Sequence, residues 1–151
     1  MAILSWGKYK LEQATSTSGA PGSTWTEIDT PREGSGTLTP TAGDEVEARE
    51  EGGEVVDSRR SKTSYVFEWY NFVKKGGTRP FVDDDGIVAG EYALRVTPED
   101  DACEGIQIDR CAISVQEEFT AADGKLLHYT AKALKPATGK IVKPYTKTTT
   151  P

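Results

Sequence analysis

The sequence predicts a mainly β protein: a small antiparallel β-sandwich or barrel with at most one short helix and long polar arms at both ends. Two observations predict this fold. Residues 64–134 contain several segments in which apolar and polar side chains alternate, with acidic or Gly-containing turns between them. Residues 12–36 and 137–151 are rich in Thr, Ser, Gly and Pro. A length of 151 residues indicates one domain, and we expect its core over about 37–136.

The first third of the chain gives only weak strand signals. Residues 3–11 and 25–28 alternate briefly and predict short strands. Thr37–Thr41 contains a proline, which has no backbone donor, so a strand there is predicted at a sheet edge. Residues 44–51 predict either a strand with a polar face or a weak helix. The pair Gly52-Gly53 is expected to end that element.

The strongest strand signal is Ser64–Phe72, which is dense in aromatic and β-branched residues. Its large apolar side chains fall on both faces: Tyr65, Phe67 and Trp69 on one, Val66, Tyr70 and Phe72 on the other. This pattern predicts a strand buried on both faces, or a strand with one face in the core and the other against a neighbouring subunit.

The rest of the core is predicted as antiparallel strands. Residues 91–96 alternate, and residues 106–119 form a long strand whose apolar phase changes. A change of phase needs an extra residue, so we predict a β-bulge near Asp109-Arg110. Asp123-Gly124 predicts a hairpin turn into a returning strand. Residues 78–89 are a further candidate for a short helix.

Charge is distributed unevenly along this chain, whose net charge is −6. The acidic segment, residues 44–54, contains Asp44, Glu45, Glu47, Glu50, Glu51 and Glu54. Residues 125–151 carry Lys125, Lys132, Lys135, Lys140, Lys143 and Lys147 and no acid. Two interpretations remain open: two solvated faces of opposite sign, or a contact between the basic tail of one copy and the acidic segment of another. The acidic balance argues against tight binding of nucleic acid.

Few residues suited to catalysis or metal binding are present, since the chain has one His and two Cys. The acidic run before Gly86 has adjacent carboxylates rather than the alternate spacing of a calcium loop. His128 lies in no zinc-binding spacing, and it is the only imidazole that could activate Cys103. We therefore predict no enzyme, no cofactor and no metal. Cys103 and Cys111 are predicted to be reduced thiols, with a local disulfide as the alternative.

No targeting or membrane-spanning segment is predicted. The N-terminus has no charged leader followed by an apolar run, so a signal peptide is not expected. No stretch approaches the roughly 20 apolar residues that a membrane helix needs.

Three stretches carry a resemblance to a known family: GIVAGEYALRVTPED at 86–100, GIQID at 105–109, and FTAADGKLLHYTAKALKP at 119–136. With these, the chain resembles the tail tube (major tail) proteins of phages and prophages, in particular those of Bacteroides-type hosts, over about 37–138. The resemblance implies a small β-sandwich or barrel with a short helix. It also implies hexameric rings that stack into a tube for DNA, assembled in the host cytoplasm and found in the virion.

The resemblance gives two sets of residues a role. A conduit for DNA has to repel phosphate, so the acidic segment is the candidate lumen wall. Polar arms that reach adjacent rings suit the ends of the chain, and the candidate inter-subunit arm consists of Lys140, Lys143, Tyr145 and Lys147. The expected partners are copies of the chain itself, other tail proteins, and DNA that passes without tight binding.

Other functions remain as alternatives. One is another phage or secretion-system component, such as a decoration protein, a terminator or a type VI-like tube. A second is an immunoglobulin-like or lectin-like binding module, in which the aromatic side chains of Ser64–Phe72 stack on sugars. A third is a small hydrolase with paired carboxylates. Self-association distinguishes the tail tube interpretation from a monomeric binding module.

Overall fold

A computed structural model describes residue 4 and residues 7–146 of the chain. These residues form thirteen strands and no helix. The strands are β1 (Lys10–Thr17), β2 (Ala20–Pro21), β3 (Thr26–Glu27), β4 (Thr37–Thr41), β5 (Glu45–Arg49), β6 (Val55–Arg60), β7 (Ser64–Phe72), β8 (Asp83–Asp84), β9 (Ile87–Val88), β10 (Tyr92–Thr97), β11 (Gly105–Thr120), β12 (Gly124–Ala133) and β13 (Lys143–Tyr145). The mainly β fold class is therefore confirmed.

Most strands belong to one antiparallel sheet that curls into a half-barrel. Its strand order is β2-β1-β10-β11-β12-β7-β4, with β3, β9 and β13 pairing at additional positions. The predicted edge strand β4 does lie at one end of this path. β5 and β6 form a separate two-stranded sheet.

The β11–β12 hairpin is the longest pairing in the sheet, running from Cys111↔Ala133 to the turn at Thr120↔Gly124. The predicted turn is thus confirmed. The predicted bulge is confirmed as well: Tyr92 pairs with Cys111, but Leu94 pairs with Ile108. Two steps along β10 oppose three along β11, so β11 has an extra residue at positions 109–110. The bulge brings Cys111 and the alternate residues after it onto the core face.

The core lies on the concave side of the half-barrel and is centred on three aromatic rings. Trp69 stacks on Tyr129 at 5.1 Å between ring centres, and Phe81 packs against both. The buried indole N–H of Trp69 donates to Oδ1 of Asn71 (2.7 Å), and Nδ2 of Asn71 donates to the carbonyl of Asp29 (2.9 Å). One face of β7 is therefore buried, as the sequence predicted.

The prediction that residues 12–36 are a polar arm outside the core is wrong. β1 pairs with β10 from Lys10↔Thr97 to Thr15↔Tyr92, and its Leu11 and Ala14 are buried. Ile28, after β3, is also buried. Ala14 lies opposite Ala93, and two such small side chains allow close packing without an apolar run in the sequence. The folded domain accordingly begins well before residue 37.

The candidate helix at 78–89 is not formed. β8 and β9 make a tight hairpin there, in which Asp85 and Gly86 have φ of 48° and 94°. Two successive residues with positive φ are typical of a type I′ hairpin turn and are incompatible with a right-handed helix. The backbone N–H of Gly86 donates to Asp83 (3.0 Å), which fixes the turn. The short helix that the tail tube resemblance implies is absent from the described residues.

Candidate functional site

The most distinctive surface feature is a freestanding hairpin, residues 44–62, built on β5 and β6. Within residues 4 and 7–146, these two strands pair only with each other, and every residue from 44 to 62 is exposed. The strand alternative for 44–51 is therefore confirmed. Gly52 and Gly53 adopt positive φ in the turn, and Nη1 of Arg49 donates to the carbonyl of Gly53 (2.8 Å). The hairpin is therefore closed by its own contacts.

All of the predicted lumen-wall residues lie on this hairpin or at its base, so the structure brings them together. β6 adds positive charge that the acidic segment alone does not show. Glu45 forms an ion pair with Arg60 (2.9 Å), and Glu47 forms one with Arg49 (2.6 Å). The surface is therefore mixed in charge, with an acidic excess.

Three exposed valines interrupt the charged surface of the hairpin. Val46, Val55 and Val56 are 67%, 47% and 56% exposed. Sequence reasoning missed β6, because a strand that is exposed on both faces has no alternation of apolar and polar residues. Val55 and Val56 are adjacent in β6, so they lie on opposite faces of the hairpin.

The C-terminal segment is partly folded onto its own chain. β13 pairs with the start of β11, through Gly105↔Tyr145 and Gln107↔Lys143. The ammonium of Lys143 contacts the carboxylate of the buried Asp109. In the single chain, Lys143 and Tyr145 of the candidate inter-subunit arm are therefore held by a sheet edge and a buried carboxylate of the same copy.

The other two residues of the predicted arm differ from these. Lys140 is exposed, and Lys147 lies outside the described residues.

Arg95 connects both ends of the described chain to the sheet. Its guanidinium lies 4.3 Å from the ring centre of Trp25 and 4.9 Å from that of Tyr145. It also forms an ion pair with Glu12 (3.2 Å). Cation–π contacts of this kind are strongest where the cation is shielded from water.

The aromatic side chains of β7 differ in their exposure. Phe67 and Trp69 are buried in the core, so these two rings are not available to stack on a sugar. Tyr65 and Tyr70 are half-buried, and Phe72 is exposed. The ring of Tyr70 stacks on His128 at 4.4 Å between centres, and the guanidinium of Arg32 lies 5.9 Å from the same ring.

The groups considered for chemistry are dispersed. Cys111 is fully buried, and burial raises the pKa of its thiol to about 12. It forms no disulfide with Cys103. Within residues 4 and 7–146, no three His, Cys, Asp or Glu side chains are placed to hold a metal ion. The same residues contain no helix long and apolar enough to cross a membrane.

No protein-family model matches this chain. The curated proteins likewise give no match.

Proposed function

We propose that this chain is a virion structural protein, a tail tube subunit that forms stacked hexameric rings and acts through contacts with its own copies rather than by catalysis. The observation that carries the proposal is the freestanding hairpin. A two-stranded hairpin without packing is marginally stable in water at best. Residues 44–62 are exposed throughout, and they make no appreciable contact with the described strands of the main sheet. A partner surface that covers them is therefore expected.

The exposed valines supply a driving force for association. Burying a valine side chain contributes up to about 1.5–3 kcal/mol relative to leaving it in water. Val46, Val55 and Val56 offer this contribution in an assembly and not in the single chain. A hairpin that docks on a different surface of the next copy makes a heterologous contact, which generates closed rings or open filaments. A stacked tube contains both kinds of assembly, because each ring is closed and the stack of rings is open-ended.

The sheet edge offers a second contact between copies. Among the residues that the structure describes, β4 ends the main sheet and pairs only with β7, so its outer edge has no described strand beside it. Natural proteins cover such edges or pair them with another strand. Neighbouring subunits in a ring would cover the edge of β4, and Pro40 would limit the number of new backbone hydrogen bonds.

The charge of the protein suits a DNA conduit. A net charge of −6 repels phosphate, so DNA would pass without being held. The acidic excess of the hairpin makes it the candidate for the part of the lumen wall nearest the DNA. The ion pairs that Arg49 and Arg60 make reduce the local field but leave most of the carboxylates unopposed.

The principal alternative is another phage or secretion-system component, such as a decoration protein, a terminator or a type VI-like tube. It shares the requirement for contacts between subunits. The geometry of the assembled particle separates a tube subunit from a decoration protein or a terminator, because only a tube subunit forms stacked rings of unlimited length. A type VI-like tube would form such rings as well.

The test is negative-stain microscopy of the full chain and of a variant in which Val46, Val55 and Val56 are each replaced by Ser. We expect rings or tubes from the natural chain. The variant should fold with the same circular dichroism spectrum but assemble poorly. Val82→Ser is the matched control, since Val82 is 87% exposed outside the hairpin. Single particles without rings from the natural chain would refute the proposal.

A further inference from the structure

We infer that the edge of β11 at Gly105–Gln107 is an exchange site for the C-terminal strand. In the isolated chain, β13 of the same copy fills it; in the assembly, β13 of a neighbouring copy does. The inference rests on the proposed function for its partner, a second copy of this chain. It adds the site, the strand that binds there and the contacts that select it.

The site exists because β12 does not cover all of β11. β12 ends where Ala133 pairs with Cys111, which leaves the first residues of β11 without that neighbour. β13 takes the vacant edge through three pairs that end at Gly105↔Tyr145. An unpaired edge beside the core is unfavourable, so a strand has to lie there. Nothing in these backbone pairs requires the strand to come from the same chain.

Two side-chain contacts make the site selective for this strand. Asp109, 4% exposed at the bulge, accepts a hydrogen bond from Nε2 of Gln107 (2.8 Å) and contacts the ammonium of Lys143. A buried carboxylate requires a cation or hydrogen-bond donors, so Lys143 is strongly preferred there. Two residues later, Tyr145 packs on Arg95. The site therefore selects an extended strand in which a Lys and a Tyr are two residues apart.

The connection to β13 contains a hinge. Pro136 is buried, and the backbone N–H of Ala137 donates to the carbonyl of Gly19 (2.9 Å), so the chain is fixed up to that point. Residues 137–140 are then exposed, and Gly139 adopts a φ of 80°. An extended chain from 137 to 143 reaches about 20 Å. Ile141 and Val142, which follow the exposed residues, pack against the core, so they would move with β13 in an exchange.

Exchange between copies preserves the backbone pairs of β13, so its cost is low and the gain is a non-covalent link from one copy to the next. An exposed hinge and a self-complementary site together favour a second copy as the partner.

Disulfide trapping tests the inference in the full chain. Ile106 and Pro144 are directly opposed, so Ile106→Cys with Pro144→Cys places two thiols across the β11–β13 pair. Cys103→Ser removes the other partly accessible thiol. Oxidation of assembled protein should give covalent multimers on a non-reducing gel, whereas oxidation of dissociated chains should give monomers with an internal link.

The matched control is Ser114→Cys with Thr130→Cys, an opposed pair within the β11–β12 hairpin. It should give internal links under both conditions. Assembled particles that contain only internally linked 106–144 monomers would overturn the exchange and leave the proposed function intact. A chain that forms no assemblies would overturn both.

Charge reversal gives a second, independent test. D109K and K143D each place like charges at the contact, so each variant alone should assemble at least tenfold less well than the natural chain. Exchange between the two variants restores opposite charges at every site, and their mixture should therefore assemble. The double variant D109K/K143D should assemble alone. If the mixture assembles no better than the two single variants do separately, while the double variant assembles, β13 does not exchange.

Discussion

The guanidinium of Arg95 lies over the indole ring of Trp25, with 4.3 Å between the guanidinium carbon and the ring centre. Because Tyr145 contacts the same guanidinium, this single cation joins the N-terminal segment, β10 and β13. The contact also explains why two segments of polar composition are held against the sheet. Their anchors are isolated aromatic residues rather than apolar runs.

Replacing Arg95 by Met should lower the free energy of unfolding by about 2 kcal/mol, since it removes two cation–π contacts and leaves Glu12 without its cation. Urea unfolding followed by fluorescence measures this loss. Arg79→Met is the control, because its ion pairs are more exposed and should contribute less than about 1 kcal/mol. Equal losses for the two variants would show that Arg95 does not join these segments.

Asn71→Leu should destabilise the core by about 2 kcal/mol, because it leaves the buried N–H of Trp69 and the carbonyl of Asp29 without partners. Thermal or urea unfolding gives the value. A loss below about 0.5 kcal/mol would mean that water or another group replaces the amide, contrary to the hydrogen bonding described above.

Tyr129→Phe tests the alkaline stability of the fold. Burial raises the pKa of Tyr129 from 10.0 to about 12, and its hydroxyl has no hydrogen-bond partner within the described part of the chain. The folded state holds the phenol proton more tightly than the unfolded state. This contribution is therefore fully present below pH 10 and is lost as the pH rises towards about 12.

The phenylalanine variant should equal the natural protein at pH 7, or exceed it by up to about 1 kcal/mol, because no hydrogen bond is lost. Its advantage should grow between pH 10 and 12. Unfolding curves at pH 7 and across the alkaline range provide the measurement. A variant that is clearly less stable at pH 7 would show that the hydroxyl has a partner.

Gly105→Ala should destabilise the protein by about 3 kcal/mol, the upper range for overpacking. The added methyl group would overlap the backbone carbonyl of Val96 and would lie 2.9 Å from Cδ of Pro98. Gly77→Ala is the control, since its nearest neighbour, the Lys74 carbonyl oxygen, is 3.2 Å away; it should change stability by less than about 1 kcal/mol. Comparable melting of both variants would contradict the close approach of β10 and β11 at this point.

The elements that the sequence predicted best are those with one buried face. Such a face leaves an apolar side chain at every second position of the sequence, as in Ser64–Phe72 and on either side of the turn into β12. The bulge in β11 leaves a change in the phase of that pattern. Most of β1 was missed: the strand predicted over residues 3–11 reaches only its first two residues, and Ala14 packs closely without a large side chain. β6 was missed because both of its faces are exposed.

The candidate surfaces were predictable only in part, for physical reasons. The acidic segment is visible as a run of like charges, but Arg60, which pairs with Glu45 of that segment, comes from β6, a strand without a pattern. The contact of Lys143 with Asp109 depends on a bulge that buries a carboxylate, and on a strand that returns from a distant part of the chain. Composition alone describes that segment as a free tail.

The central claim is that this protein works through contacts with identical copies. Light scattering coupled to size-exclusion chromatography, at increasing concentrations of the purified full chain, tests it most directly. The account predicts a mass that corresponds to rings, followed by larger stacked species. The mass of a single chain at every concentration would contradict it.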